Sequence, residues 1–439
     1  METSELLELD RTLLWHPFTQ VLTAPEPVPI ASAQGATLTD FQGREILDLI
    51  SSWWVTLHGH GHPAIARAIG DQAGRLEQVI FAGFTHEPAV TLCQRLTALL
   101  PHGLRRCFFS DNGSTAVEVA LKMALQACRN RGEDRGRFLA FDGGYHGDTV
   151  GAMSAGVSSH FFEAWRELLF PVDVLPVAAT WLEDEAVEAR EAAALARLDQ
   201  HLDQFGAQTA AAIIEPLVQG ACGMRMHRPV FLRGVVQRLR ARGILVILDE
   251  VMTGFGRLGA PFACIEAGVS PDLICLSKGL TGGALPMSLT IATDAVHQAF
   301  LDPSIDKAFL HGHSFTANPL GCAAALASLD LLLDPACAQA RARIEQRHRT
   351  ALARVVAASP RAARLRIQGT IAAFDVVAPE QGYGSELDAR MKRFFLRRGL
   401  LLRPLGNTLY LLPPFCITDE QLDRAYAGIE EGLACGFSD

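Results

Sequence analysis

Between residues 63 and 330, short apolar runs recur along the chain, each closed by glycine or a polar residue and followed by a stretch with helical spacing. The runs at 107–109, 138–141, 212–214, 244–248 and 273–276 show little alternation of apolar and polar positions, and 288–292 follows with a mixed pattern. A strand with one wet face alternates; a continuous apolar run of this length fits a strand covered on both faces. Strands of that kind alternating with helices predict an α/β fold with a mostly parallel sheet flanked by helices. After Asp334-Pro335 the texture changes to an Arg- and Ala-rich helical stretch, shorter strands at 371–377 and 409–412, and an amphipathic helix from about Asp419. This predicts a smaller α+β domain. Upstream, 36–40 and 45–49 have the look of a hairpin. The expected organisation is an N-terminal segment, 1–62, packing with the small domain, a large domain over 63–330, and a C-terminal small domain over 331–439.

Composition narrows the classes of function. The chain has 439 residues, 49% of them hydrophobic, which is ample for a large core. A net charge of −9 with 20% charged residues argues against nonspecific binding to nucleic acid or a membrane surface. The ten cysteines are scattered without a Cys-x-x-Cys pair, the start Met1-Glu2-Thr3-Ser4-Glu5 is acidic, and no apolar run approaches the length of a membrane span. A cytoplasmic globular enzyme with reduced thiols, acting on small molecules, is expected.

Candidate chemistry lies at strand ends. Ile244-Leu245-Val246-Ile247-Leu248 closes in Asp249-Glu250, and Asp272-Leu273-Ile274-Cys275-Leu276 leads to Ser277-Lys278-Gly279. The carboxyl ends of strands in an open α/β sheet are where ligands bind. A carboxylate and a lysine delivered to one crevice suit pyridoxal phosphate, with the lysine forming a Schiff base and the acid keeping the pyridine nitrogen protonated. The competing reading of any isolated Asp and Lys is a turn cap and a solvated surface residue. Ser110-Asp111-Asn112-Gly113-Ser114 opens a helix running to about Arg129; Gly113, the Ser114 hydroxyl and the first-turn amides form a phosphate cradle or an ordinary N-cap. Tyr145, in Gly143-Gly144-Tyr145-His146-Gly147-Asp148-Thr149, can lie on a pyridine ring. Ser314, in His311-Gly312-His313-Ser314, is a further phosphate ligand at the start of an Ala-rich helix. Trp53-Trp54 suits an elongated organic substrate, and Arg403, amid apolar residues, suits a carboxylate clamp. His58, His60 and His62 lack carboxylate or cysteine companions, so no metal site is expected.

Taken together, Asp249–Arg257 (Asp-Glu-Val-Met-Thr-Gly-Phe-Gly-Arg) and Ser277-Lys278-Gly279 resemble the class III aminotransferases, a branch of the fold type I pyridoxal-phosphate enzymes, over essentially the whole chain. Trp15-His16-Pro17-Phe18-Thr19-Gln20, Ser51-Ser52-Trp53-Trp54, Tyr145–Thr149, Glu215–Ala221 and Arg403-Pro404-Leu405-Gly406 resemble the members serving biotin synthesis. The resemblance implies that Lys278 and Asp249 are catalytic with Tyr145, that Gly113, Ser114 and Ser314 hold the cofactor phosphate (Ser314 from the neighbouring subunit of a homodimer), and that Trp53, Trp54, Tyr145, Gly312 and Arg403 bind substrate. It implies transamination of 8-amino-7-oxononanoate to 7,8-diaminononanoate with S-adenosylmethionine as donor; lysine as donor, an ω-amino acid:pyruvate transaminase and an aminomutase are the alternatives. Relatives acting on ornithine or γ-aminobutyrate carry a glutamate near the position of Ala221, which leaves Arg403 unopposed here. Two departures bear on the donor: Phe18 stands where the family has tyrosine, and His313-Ser314 where it has Pro-Thr.

Overall fold

The computed structural model describes residues 1–156, 160–378 and 384–438. Its centre is a seven-stranded sheet made of β1 (Leu104–Ser110), β2 (Arg137–Phe141), β3 (Asp173–Leu175), β4 (Thr209–Ile214), β5 (Leu245–Asp249), β6 (Leu273–Leu276) and β7 (Ser288–Thr293), in the order β1-β7-β6-β5-β4-β2-β3. β5 is the middle strand and pairs in parallel with β4 and β6; β7 runs antiparallel to both of its neighbours. The sheet is therefore mostly parallel, as the unalternating runs predict. Along β5, Val246 and Leu248 enter one hydrophobic core while Leu245 and Ile247 enter the other. Both faces are covered, which is why the run contains no polar residue until it reaches Asp249.

Helix α1 (Gly113–Asn130) lies on the second face, its Ala116, Val117, Val119 and Ala120 packed with Ile247, Leu273 and Cys275. Asn112 caps it: its side chain accepts the Thr115 N–H while the Thr115 hydroxyl accepts the Asn112 N–H. The small residues at the start of α1 let its N-terminus sit close to the carboxyl ends of the sheet.

The two ends of the chain are joined outside this sheet. Strands Ile30–Gln34, Thr37–Asp40 and Glu45–Asp48 form an antiparallel meander, and Leu400–Leu401 adds to its edge in parallel with Glu45–Asp48. A second antiparallel sheet contains Ala362–Gln368, Ile371–Val376 and Thr408–Leu411. The first of these strands is hard to read from sequence because arginines interrupt it. Arg366 is buried nonetheless, and donates to the Gly223 and Met224 carbonyls and to Asp375. Arg257, buried just past β5, donates to the carbonyls of Thr56 and Pro413 with its guanidinium 5.0 Å from the Phe415 ring. Burial lowers its pKa to about 9, so it stays charged at neutral pH while binding both chain ends to the central sheet.

Glu250, the residue after β5, is fully buried, and its carboxylate accepts the N–H groups of Ala263 and Cys264 at 2.7 Å each. Replacing Glu250 with alanine strands two buried donors and is expected to lower unfolding stability by about 2–4 kcal/mol in denaturant titration. A loss below about 0.5 kcal/mol contradicts that role for the carboxylate.

Candidate active site

A cleft of about 580 Å³ opens at the carboxyl ends of β5 and β6 and is lined by Gly113, Ser114, Tyr145, His146, Thr149, Glu215, Asp249, Val251 and Lys278. Asp249 ends β5, almost wholly buried. One carboxylate oxygen accepts the Val251 N–H at 3.0 Å, and the other lies 2.7 Å from His146 Nδ1, which donates because an ionised carboxylate can only accept. Burial pulls the His146 pKa down, but the hydrogen bond and charge of Asp249 outweigh it and leave the pKa raised. Glu215, one residue past β4, accepts the Tyr145 N–H and the Gly220 N–H at 2.9 Å each. Desolvation pushes its carboxyl up to about 7.

Lys278 follows Ser277 with a left-handed backbone (φ 46°), a conformation a non-glycine residue adopts only when its surroundings impose it. Its amine lies 4.6 Å from the Trp54 ring. Removal from bulk water lowers its pKa to about 8, against the opposing pull of Asp249 and Glu215. The amine is thus partly neutral near physiological pH, as a nucleophile and proton carrier requires.

At the other end of the cleft the start of α1 faces Thr149. The Ser114 hydroxyl lies 2.7 Å from the Thr149 hydroxyl and accepts the Thr149 N–H at 3.0 Å. Gly113 also meets a packing demand: a Cβ there would meet the Val251 side chain at 2.6 Å, so the missing side chain admits Val251 from the β5 turn at the edge of the cleft. Gly147 (φ 117°) admits Ser114 in the same way, a Cβ meeting it at 2.3 Å.

A second cavity of about 260 Å³ adjoins the cleft, with Trp54, Tyr145 and Lys278 in the walls of both. Its remaining walls include Phe18, Trp53, Phe161, Ala221, Arg403 and Tyr410. The Arg403 guanidinium lies 4.2 Å from the Trp53 ring and 5.9 Å from the Phe18 ring. Phe18 packs on Trp53 at 5.6 Å and edge-on against Phe161 at 5.8 Å. The Trp54 indole N–H donates to the Tyr410 hydroxyl at 2.9 Å. Tyr145 stacks nearly parallel to Phe162 and donates its hydroxyl to Asp148.

The fold thus gathers Lys278, Asp249, Tyr145, Gly113, Ser114, Trp53, Trp54 and Arg403 into two adjoining chambers. Gly312 and Ser314 are not in them: both are exposed, the Ser314 carbonyl accepts Gln78 Nε2, and the neighbouring His313 sits 2.9 Å from Asp111. The three early histidines have separate duties. His58 bonds Ser328, His60 bonds Asp48, and His62 caps the helix Pro63–Ala73. No local pattern announces that His146 holds Asp249, that Glu215 fixes the Tyr145 backbone, or that Tyr410 anchors Trp54; each partner is distant along the chain.

The donor set matches one cofactor. Hydroxyls and a helix start suit a phosphate, a buried carboxylate suits a protonated ring nitrogen, and a lysine amine with lowered pKa suits an aldehyde. These groups and the fold define a pyridoxal-phosphate-dependent transferase of fold type I. The sequence pattern described as Aminotransferase class-III matches residues 20–433, and the chain belongs to that family. It is 56% identical over 421 residues to an adenosylmethionine-8-amino-7-oxononanoate aminotransferase of Synechococcus elongatus, covering 96% of this chain and 98% of the relative. A protein of the same name from Geobacter sulfurreducens is 39% identical, covering 98% of each chain. Among solved structures, the adenosylmethionine-8-amino-7-oxononanoate aminotransferase of Methanocaldococcus jannaschii superposes with a TM-score of 0.91 at 30% identity and 99% coverage of both chains. A pyridoxal-phosphate-bound amine transaminase from an uncultivated Pseudomonas species gives 0.90 at 29% identity, covering 96% of this chain and 98% of that one.

Two outcomes follow for the cleft. Capture of pyridoxal phosphate by the cofactor-stripped protein should rise with pH through about 8 and then level off, because only the neutral Lys278 amine reacts. A rate still climbing toward pH 10 in stopped-flow absorbance would mark an ordinary solvated lysine. Asp249→Asn should retain the cofactor yet turn over at least about 100-fold more slowly; near-normal kcat would remove Asp249 from the chemistry.

Proposed function

We propose that this enzyme transfers an amino group to 8-amino-7-oxononanoate, giving 7,8-diaminononanoate in biotin synthesis, with S-adenosylmethionine as the donor. The observation that carries the reading is the second cavity, apolar and aromatic along its length, with Arg403 in one wall and Lys278 in another. An oxo acid with a long methylene chain fits such a wall, its carboxylate bound by Arg403 and its carbonyl presented to the amine end. Ala221 adds no carboxylate to compete for Arg403.

When bound, pyridoxal phosphate supplies the aldehyde that receives the amino group and a ring that takes up the electron pair left when the carbon proton departs. Asp249 would hold the ring nitrogen protonated, and His146, bonded to its carboxylate, would keep it aimed. Lys278 Nζ, with its pKa lowered to about 8, would serve as the base and acid that moves the proton at the reacting carbon in both half-reactions. Trp53, Trp54 and Tyr145 exclude water from the reacting carbon.

Lysine as donor is the second reading. Phe18 favours it, because at this wall of the cavity it presents a ring without a hydroxyl. Adding S-adenosylmethionine or lysine singly to the yellow holoenzyme, without acceptor, separates the two. The absorbance should bleach with S-adenosylmethionine and recover on adding 8-amino-7-oxononanoate. Bleaching by lysine alone selects the other donor, and silence toward both removes the substrate assignment.

We further propose a cytoplasmic homodimer in which Ser314 and Gly312 serve the partner's cleft. Leu310 and Phe315, at 73% and 63% exposure, flank them with apolar surface that a second copy would cover. Sedimentation of the holoenzyme at the mass of one chain would overturn this.

A further inference from the structure

The paired tryptophans stand on a strained piece of backbone, and its support comes from one buried carboxylate. Ser51 (φ 53°), Ser52 (φ 59°, ψ −101°) and Trp54 (φ 66°) all lie in the left-handed half of conformational space. The Ser52 angles are those of a tight turn's glycine position, which a serine occupies only under constraint. Asp48 supplies it. It ends the strand Glu45–Asp48, is fully buried, and accepts the Ile50 N–H at 3.1 Å and the Ser52 N–H at 2.7 Å. His60 Nε2 lies 2.8 Å from the oxygen that holds Ser52. The carboxylate itself cannot drift, since the Asp48 N–H is bonded to the Ala36 carbonyl and its residue pairs with Leu401.

Without that clamp the Ser52 peptide would relax to negative φ, turning the next side chain, Trp53, away from Arg403. Trp54 has a second anchor in Tyr410, so the wall beside Lys278 would hold. We infer that Asp48 is a positioning residue for the substrate cavity, acting through the Ser52 backbone to place Trp53 against Arg403. The inference rests on the proposed cavity as the seat of the oxo acid.

The test compares KM for 8-amino-7-oxononanoate and kcat of holoenzymes carrying Trp53→Ala, Asp48→Asn, or Asp48→Asn with Ser52→Gly. Asparagine keeps the shape but has one oxygen where the carboxylate has two, so its NH2 faces either the Ile50 N–H or the Ser52 N–H and His60, and the pair of bonds that shapes this turn is broken. Trp53→Ala and Asp48→Asn should each raise KM at least about tenfold, with kcat of Asp48→Asn within about threefold of wild type. Adding Ser52→Gly should bring KM back toward the wild-type value, because glycine adopts these angles unaided. An unchanged KM in Trp53→Ala overturns the cavity reading and this inference with it. A raised KM in Trp53→Ala, with only a lowered melting midpoint in Asp48→Asn, overturns this inference alone. Should Asp48→Asn fail to fold, the double variant decides: a folded enzyme with near wild-type KM supports the role, and a second failure to fold overturns it.

Discussion

Every part of this molecule answers to the difficulty of keeping a carboxylate and an amine out of water, close together and neither one quenched. Asp249 is held at the end of the central strand by a backbone amide and by His146, which occupy its two carboxylate oxygens. Lys278 is taken out of water, and desolvation outweighs the pull of Asp249 and Glu215 and leaves it partly neutral. Had the two formed an ion pair, the amine would be permanently protonated and useless as a nucleophile. The seven-stranded sheet makes the separation possible: Asp249 is in register with Cys275, and the chain needs only the Ser277 step and a left-handed turn to place Lys278 beyond it.

Around this pair the walls are drawn from widely separated stretches. The start of α1 meets the turn after β2 through Gly147, which leaves room for Ser114, and the turn after β5 through Gly113, which leaves room for Val251. Trp53 and Trp54 come from a segment attached by the Glu45–Asp48 edge to Leu400–Leu401, and Arg403 follows two residues later. The same small sheet thus carries the two stretches whose side chains meet in the wall of the second cavity. Arg257, eight residues past the end of β5, bonds the carbonyls of Thr56 and Pro413, just beyond Trp54 and Tyr410 along the chain.

The catalytic pair was legible because a strand buried on both faces leaves an unmistakable apolar run, and the first polar residue after it must lie at an edge. Helix α1 and the helix Asp419–Cys435 were legible for a similar reason, both beginning in cap residues. Strand order was not, since register between β5 and β4 depends on packing across the core. Ala362–Gln368 escaped because Arg366 is buried on hydrogen bonds that no local pattern announces. That Gly113 also makes room for Val251 was not legible, because Val251 lies far along the chain. The aim of Trp53-Trp54 was beyond reach: it depends on the backbone angles of Ser52, and a serine gives no sign of a glycine-like conformation.

The composite origin of the second cavity has a consequence for how the protein is made. The cofactor cleft is lined by residues no later than Met287, so its groups exist well before synthesis ends. Arg403 and Tyr410, and the strand Leu400–Leu401 that anchors the early meander, leave the ribosome near the finish. Chains emerge from the N-terminus and domains form as units. Residues 30–48 must therefore wait, unpaired on one edge, through most of translation. An unfinished chain carries the groups of the cleft but lacks Arg403 and Tyr410, so the walls of the second cavity close only with the final tenth of the chain.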